Sequence, residues 1–433
     1  MKLVRIAFAL VVALGFGRAQ AFHSGGVAEC EGCHSMHSPA PGGYSLLIGT
    51  DASSTCLSCH EVAGALTPSS YHISTASVDM PAATSTPINR TPGGDFGWLK
   101  KTYTWTGGGL EKGDHHGHNI VAVDKGYAAD ADNSIAPGGT YSANQLSCIS
   151  CHDPHGQARR AGTDAAPIFL RPAIGTNVGA IQASGSYTNS PAPTAADPVG
   201  IYRILAAPGY TRASGVTWGG WPVAIAPATY NRTEAVSDTR VSYGGTGTNS
   251  WGDWCGSCHP GMHQDGGAGA YVHPTEKALG AIADLYNAYV KSGDLTGSAA
   301  NSFSSLTPFA INTTDFAALK LSVANMAGPG TADRVTCMSC HRAHATAFPD
   351  MLRWQPVGEF ITRFPAAATA GATMPQGAPC YASMDCTGTA GRGPTQANGR
   401  TVQGEYIAAY YDRPVSKFAN SQRVLCNKCH AKD

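Results

Sequence analysis

The chain has 433 residues, and its 29 basic and 29 acidic residues give a formal net charge of zero. Without a basic surplus, nucleic-acid binding through counterion release is excluded as a main role. The 52 glycines and 27 prolines exclude a structure made mainly of long helices or continuous strands, because glycine weakens both and proline interrupts both. Apolar side chains alone are not expected to fill the interior of such a chain.

The first 21 residues have the pattern of a secretory signal. Lys2 and Arg5 precede an apolar stretch from Ile6 to Phe16, and small residues at Ala19 and Ala21 mark a cleavage site. The stretch is too short to span a bilayer, and no later run is long enough to do so. We expect residues 1–21 to be removed on export, leaving residues 22–433 as a single domain without a transmembrane segment.

Few regular elements are predicted after the signal. Short strands are expected near Lys101–Thr106 and Arg240–Tyr243. A helix is predicted from about Thr275, just after Pro274, to about Lys291, and a weaker one over about Asp315–Met326. The apolar face predicted for the first helix consists of Ala278, Ile282, Leu285, Tyr286 and Tyr289, and Gly293 would end it. The fold class predicted is a mostly irregular chain with few short helices and minimal strand.

One motif accounts for twelve of the 14 cysteines. It is C-x-x-C-H, and it occurs six times, at Cys30/Cys33/His34, Cys56/Cys59/His60, Cys148/Cys151/His152, Cys255/Cys258/His259, Cys337/Cys340/His341 and Cys426/Cys429/His430. We number these motifs 1 to 6 in chain order.

The order of residues in the motif is typical of covalent c-type haem attachment. Two thiols separated by two residues can bond to one edge of a porphyrin, and the adjacent histidine then becomes the proximal iron ligand. Zinc sites do not require a histidine at that fixed position, and redox-active dithiols do not occur in sixes. The sequence therefore predicts a multihaem cytochrome c, with its chain wrapped around a row of six haems that form the core.

The histidine count predicts the second axial ligand. Of 16 histidines, ten remain after the six proximal ones, enough for every iron to have two imidazoles. A methionine ligand stays possible for a minority of haems. The distal candidates are three histidines that follow a proximal one by three residues and three that lie between motifs: His37, His155, His344, His72, His118 and His273. His23 and His263 are reserves that could replace one of them, and His115 and His116 are expected to be exposed to solvent.

Two cysteines lie outside the motifs. Cys380 and Cys386 are six residues apart in a segment rich in glycine. In an exported protein they are expected to form a disulfide that closes a small surface loop, with a free reactive pair as the alternative.

Several connecting segments resemble one family. They are Phe22-His-Ser-Gly-Gly-Val-Ala-Glu-Cys-Glu-Gly-Cys-His, Ser70-Tyr-His-Ile-Ser-Thr-Ala, Pro92-Gly-Gly-Asp-Phe-Gly-Trp, Cys151-His-Asp-Pro-His-Gly, Tyr230-Asn-Arg-Thr-Glu-Ala and Leu425-Cys-Asn-Lys-Cys-His-Ala-Lys-Asp. In these segments the chain resembles the OmcS-like, filament-forming hexahaem c-type cytochromes. The resemblance implies six bis-histidine haems and an outer-surface or extracellular location, reached through the periplasm.

The resemblance also implies a function and partners. Subunits would join head to tail into a conductive filament that receives electrons from other redox proteins and delivers them to extracellular acceptors such as metal oxides. It implies that His37 ligates a haem of the adjacent subunit, with motif 5 as the recipient. The alternative is a haem in its own chain.

Two other functions stay open from the sequence. One is a soluble periplasmic electron shuttle, and the other is a multihaem reductase. An enzyme is not predicted, because a reductase needs an iron with an open coordination site and all six motifs here end in histidine.

Overall fold

The computed structural model describes part of the chain. The residues described are 31–35, 37, 40, 46–62, 72–76, 89, 91–105, 110–152, 154, 159–163, 166–170, 199–200, 223–226, 241–245, 250–262, 273–291, 293–304, 306–313, 315–322, 325–356, 360–363, 380–381, 394–395, 409–411, 413, 415–419 and 422–431. The predicted signal, residues 1–21, lies outside them.

The α-helices are short. They are α1 (Ala52–His60), α2 (Trp251–Cys255), α3 (Ala281–Ala288), α4 (Phe316–Ser322), α5 (Cys337–Cys340) and α6 (Cys426–His430). Single turns of 3-10 helix connect them, at Phe96–Lys100, Gly113–His116, Val123–Lys125, Ala143–Gln145, Cys148–Ser150, Pro260–Met262, Ala299–Asn301, Pro349–Met351 and Val415–Lys417. Five of these helices and turns carry cysteines of the predicted motifs, so much of the local helical structure coincides with the motifs.

The predicted helix at 275–291 exists but is shorter than expected. Only Ala281–Ala288 is helical, because the preceding backbone turns through positive φ at Glu276 (73°) and Gly280 (53°). The chain before α3 instead forms backbone hydrogen bonds with the segment 331–335. Tyr286 and Tyr289 are buried as predicted, whereas Ile282 is 44% exposed. The second predicted helix is also shorter, as α4.

The strands are short as well. They are β1 (Glu61–Val62), β2 (Ser74–Thr75), β3 (Tyr103–Trp105), β4 (Leu110–Glu111), β5 (Arg159–Thr163), β6 (Ala166–Leu170), β7 (Val199–Gly200), β8 (Val223–Ala226), β9 (Ser242–Gly244), β10 (Ala310–Ile311), β11 (Thr362–Arg363), β12 (Cys380–Tyr381) and β13 (Pro394–Thr395). The predicted strands at 101–106 and 240–243 correspond to β3 and β9.

The strands form small separate sheets. The largest has the order β10-β9-β8-β7, in which β10 pairs with β9 in parallel and the other pairs are antiparallel. A second sheet, β13-β3-β4, joins segments almost 300 residues apart in the chain, through the antiparallel pair of Pro394 with Trp105. Each sheet joins only short segments, and none of those described is broad enough to form one face of a layered domain.

Apolar side chains pack in two main clusters. One consists of Leu57, Phe96, Trp98, Leu99, Ile120, Ala122, Tyr127, Ala345 and Ala347. The other consists of Leu306, Phe348, Trp354, Ile361, Tyr410, Phe418 and Leu425. The first cluster touches Cys148 of motif 3 and the second touches Cys340 of motif 5, so both pack directly beside the motifs. Among the described residues, no helix combines the length and the apolar character that crossing a membrane requires.

Candidate haem sites

Each motif whose two cysteines are described places them on one helical turn or on the turn that directly continues a helix. Cys56 and Cys59 lie in α1, Cys148 begins a 3-10 turn, and the cysteines of motifs 5 and 6 lie in α5 and α6. Residues three apart on a helix face the same side. In motifs 3, 4 and 5 the histidine N–H also donates to the carbonyl of the first cysteine, at 2.9 to 3.0 Å. The local fold thus presents two sulfurs and an imidazole together.

Contacts between cysteines of different motifs give the motifs an order in space. The Cys148 thiol lies close enough to Cys56 to raise its pKa, and the Cys337 thiol does the same to Cys255. Three further pairs interact electrostatically: Cys33 acts on Cys56, Cys258 on Cys151, and Cys426 on Cys340. The six motifs therefore follow one another in space in the same order as in the chain.

Three of the predicted distal histidines each face the proximal histidine of one motif. His118 faces His259 with ring centroids 6.0 Å apart, His344 faces His152 at 6.3 Å, and His273 faces His430 at 6.2 Å. A metal–nitrogen bond of about 2 Å plus about 1.1 Å to each ring centre gives about 6.2 Å between two imidazoles on opposite sides of one metal ion. These pairs fit a bis-histidine haem iron.

Hydrogen bonds select the ring nitrogen that could bind iron. Nδ1 of His118 lies 2.7 Å from the Ala343 carbonyl, and Nδ1 of His259 lies 2.9 Å from the Pro137 carbonyl. A carbonyl oxygen only accepts, so Nδ1 carries the proton in both rings and the Nε2 lone pair is left for a metal. Nδ1 of His341 donates in the same way to Asp350, at 2.6 Å.

His118 and His344 are held by the same piece of backbone. His118 N–H donates to the His344 carbonyl at 2.9 Å, and His344 N–H donates to the Gly93 carbonyl at 2.7 Å. The His344 ring stacks on Phe96, with centroids 4.6 Å apart. A Cβ at Gly93 would lie 2.6 Å from the His344 ring, so only glycine allows this approach.

Burial keeps both of these imidazoles neutral. It lowers the pKa of His118 to about 4, and it lowers that of His344 to about 3, with the nearby His152 acting in the same direction. A neutral imidazole is the form that binds iron.

For the other predicted distal ligands, the structure gives at most a position near a motif. His72 lies next to Ile73, whose N–H donates to the His60 carbonyl at 2.9 Å, so it is close to motif 2. His37 is exposed near the N-terminal motif. Three histidines and two cysteines lie outside the described residues: His23, His155, His263, Cys30 of motif 1 and Cys386, which belongs to no motif. Cys380 is in β12, and its disulfide with Cys386 stays a prediction.

His115 and His116 differ from each other. His115 is exposed as predicted and lies 3.2 Å from an Asp132 carboxylate oxygen. The expectation for His116 is wrong: its side chain is fully buried, with Nδ1 3.0 Å from the Trp98 carbonyl and Nε2 2.8 Å from Glu111. Both ring nitrogens are occupied, so His116 connects loops instead of binding a metal. Residue type and spacing do not predict this role, because it depends on the Trp98 carbonyl and the Glu111 carboxylate that the fold places beside the ring.

The chain is 46% identical, over 96% of its own length and 95% of the relative's, to the C-type cytochrome OmcS of Geobacter sulfurreducens (strain ATCC 51573 / DSM 12127 / PCA). The chain belongs to the OmcS family of c-type cytochromes. No model of a protein family matches it.

Solved structures agree with this membership. A cryo-EM structure of OmcS nanowires from Geobacter sulfurreducens matches with a TM-score of 0.73 and 45% identity, covering 95% of this chain and all of that one. A structure of the outer membrane cytochrome S filament from the same organism matches with a TM-score of 0.72 and 46% identity, with equal coverage. The fold is thus the OmcS multihaem fold, with few helices and little strand.

Membership also fixes the class of chemistry. The protein is an electron-transfer cytochrome with covalently bound haem, as the repeated motif predicts. The paired imidazoles and the cysteines on shared helical turns fit such groups.

Proposed function

We propose that this protein carries electrons over long distances as a subunit of an extracellular filament, through six covalently bound c-type haems. The observation that carries the proposal is the spatial order of the motifs, which runs without a break from Cys33 to the C-terminal pair Cys426 and Cys429. An electron carrier that connects two ends of a subunit requires such a row. The structures of OmcS filaments, from a relative of nearly equal length, support the assembly.

The residues assigned to the haems fall into three sets. The thioether cysteines would be Cys30, Cys33, Cys56, Cys59, Cys148, Cys151, Cys255, Cys258, Cys337, Cys340, Cys426 and Cys429. The proximal ligands would be His34, His60, His152, His259, His341 and His430. The distal ligands would be His37, His72, His118, His155, His273 and His344, with His118 serving motif 4, His344 serving motif 3 and His273 serving motif 6.

Bound haem supplies reversible one-electron chemistry at its iron. The chain's residues then have two tasks. His152 and His344, like the other two imidazole pairs, would together hold one iron, which would leave no open site for a substrate at those three haems and disfavours a reductase there. Both apolar clusters pack against motif cysteines and limit solvent access there, which is one of the factors that set a redox potential.

Export is part of the same proposal. Residues 1–21 would direct the chain through the periplasm to the outer surface, leaving 22–433 as one domain. Its partners would be further copies of itself in head-to-tail contact, other redox proteins and extracellular acceptors such as metal oxides. A contact between two different surface patches does not close on itself and generates a helical filament.

Electron microscopy of the purified protein tests this function. Long unbranched filaments with a repeating subunit are expected in negative stain. Particles of single-subunit size at every protein concentration would contradict the filament and favour a soluble shuttle. Electron paramagnetic resonance of the oxidised protein tests the other alternative: a high-spin ferric signal matched by stoichiometric CO binding would favour a reductase.

A further inference from the structure

Motif 6 differs from the other five in the charge between its cysteines. The intervening residues are Asn427 and Lys428 there, whereas motifs 2 to 5 have only uncharged residues and motif 1 has Glu31. The Lys428 side chain is buried, with the residue only 7% exposed. A lysine is rarely buried without a reason, because removing its charge from water is costly.

Contacts from α3 hold this ammonium group. Lys428 Nζ donates to the Tyr289 carbonyl at 3.0 Å and lies 4.5 Å from the centre of the Tyr286 ring. Helix α6, which carries motif 6, packs against α3 through this contact. A carbonyl dipole and an aromatic face stabilise a cation without neutralising it. Among the residues the structure describes, no carboxylate lies within ion-pair distance of Lys428.

The charge of this group lies inside the haem-attachment turn. Lys428 directly precedes Cys429 and lies two residues before the predicted proximal ligand His430 in α6. A fixed positive charge beside a redox group favours the reduced form, because reduction removes one positive charge from the iron.

We propose that Lys428 raises the reduction potential of the haem held by Cys426, Cys429 and His430. An electron would then be more stable at the C-terminal end of the row than it would be without this charge. The proposal rests on haem attachment at motif 6, which is part of the proposed function, but it does not depend on filament assembly.

Arg353 shows that charge placement differs between neighbouring motifs. Its guanidinium is also buried, at 2% exposure, and Nε donates to the carbonyls of Met338 and His341. Arg353 therefore braces motif 5 from outside its Cys337–Cys340 turn. Lys428 instead lies between the two cysteines of motif 6, so its charge should act mainly on the haem held there.

The test is a spectroelectrochemical titration of the full-length, haem-loaded protein. Lys428→Met removes the charge and keeps most of the side-chain volume, and Lys428→Gln removes the charge while keeping a donor for the Tyr289 carbonyl. In both, one of the six one-electron steps is expected to shift so that its oxidised-to-reduced ratio at fixed potential rises about tenfold, which is about 59 mV for a one-electron couple. The other five steps are expected to shift clearly less.

Two controls separate charge at this position from other effects. Lys428→Arg keeps the charge and should titrate like the unmodified protein. Lys417→Met removes an exposed lysine of the same region and should leave all six steps in place. Covalent haem is counted by mass spectrometry in every variant.

Three results would overturn the proposal. One is an unchanged titration in fully loaded Lys428→Met and Lys428→Gln. Another is an equal shift in Lys428→Arg or Lys417→Met, which would assign the effect to packing or to net charge. The third is loss of the sixth haem in both neutral variants, which would make Lys428 a folding residue. Filament length, measured on the same samples by microscopy, reports separately on the proposed function.

Discussion

Two histidines only two residues apart, His116 and His118, show how hydrogen bonding decides the role of an imidazole. His118 donates from Nδ1 to a carbonyl and keeps Nε2 for a metal, 6.0 Å centre to centre from His259. His116 has both nitrogens engaged, by Trp98 and Glu111. Residue type and spacing cannot separate these roles, because they depend on which oxygen the fold brings to each ring.

Removing the His118 ring should open one haem. We expect His118→Ala to retain all covalent haem, since the thioether bonds survive, and to convert one low-spin iron per chain to a high-spin or CO-binding form. Electron paramagnetic resonance and CO titration measure this change. His115→Ala removes an exposed imidazole three residues away and should leave the spectrum unchanged. Six unchanged low-spin haems in His118→Ala would show that another group serves motif 4.

Glu276 should make stability depend on pH. Burial raises the pKa of its carboxyl from 4.5 to about 7, against the opposing effects of Ser250, the Gly252 N–H and Arg334, while Asp253 adds to the rise. Below pH 4.5 the carboxyl is protonated in the folded and unfolded states alike. Between pH 4.5 and 7 only the unfolded chain releases the proton, so folding loses stability as pH rises.

The variant that tests this is Glu276→Gln, which cannot ionise and can still accept from Gly252. Because Glu276 is partly exposed, we expect the variant to be more stable than the unmodified protein by about 2 kcal/mol at pH 8, and equally stable at pH 4. Urea unfolding at the two pH values measures the difference. Glu31→Gln, which changes an exposed carboxyl, serves as the control. A constant difference between the two pH values would rule out the proposed ionisation.

At the scale of elements, one carboxylate joins three segments. Asp95 accepts hydrogen bonds from the Thr75 N–H (2.9 Å) and hydroxyl (2.8 Å) in β2, from the Asn89 amide (3.0 Å), and from the Gly97 N–H (2.7 Å) at the start of the 3-10 turn Phe96–Lys100. The residue is completely buried. Because the strands here are short, hydrogen bonds to this one buried side chain hold together segments that the backbone bonds of a longer sheet would otherwise connect.

Asp95→Ala should therefore be strongly destabilising. It leaves four buried donors without an acceptor, and we expect a loss of about 3 kcal/mol or more in the free energy of unfolding. Asp95→Asn keeps one acceptor oxygen and should lose less. Asp124→Ala, which removes one exposed acceptor of the Thr50 N–H, should cost about 1 kcal/mol. Urea unfolding, monitored by Soret circular dichroism, compares the three variants. Similar losses of stability in Asp95→Ala and Asp124→Ala would contradict the role assigned to Asp95.

The elements also show what a sequence can and cannot predict here. Periodicity identified the region of α3, but it placed the start at Thr275, six residues early. It could not foresee that the preceding residues bond to the distant segment 331–335. Motif spacing predicts which cysteines and proximal histidines would hold the haems from their chemistry alone, and these assignments stay predictions. The pairing of His344 with His152, two motifs away, depends on loops that only the folded chain brings together.

At the scale of the whole molecule, the row of motifs reaches from one end of the sequence to the other. Motif 1 begins eight residues after the predicted cleavage site, and motif 6 ends three residues before the last residue. The described imidazoles opposite His152, His259 and His430 belong to the same chain. Among the described histidines, none is stacked opposite His341 in that way. A ligand from a neighbouring subunit at motif 5 would tie filament assembly to haem coordination.

His37 is our candidate for that ligand. It lies three residues after His34 and is exposed, as a side chain that reaches another subunit must be. His37→Ala should give folded, fully haem-loaded subunits that form no long filaments, with one five-coordinate iron per chain. Microscopy measures the filament length and electron paramagnetic resonance measures the spin state, and His115→Ala serves as the exposed-histidine control.

A coordinate bond is more specific than a polar surface contact, so its loss should shorten filaments much more than removing a surface charge. Filaments of normal length with six low-spin haems would contradict the bond between subunits, whereas normal subunits with one open haem and normal filaments would place His37 on a haem of its own chain.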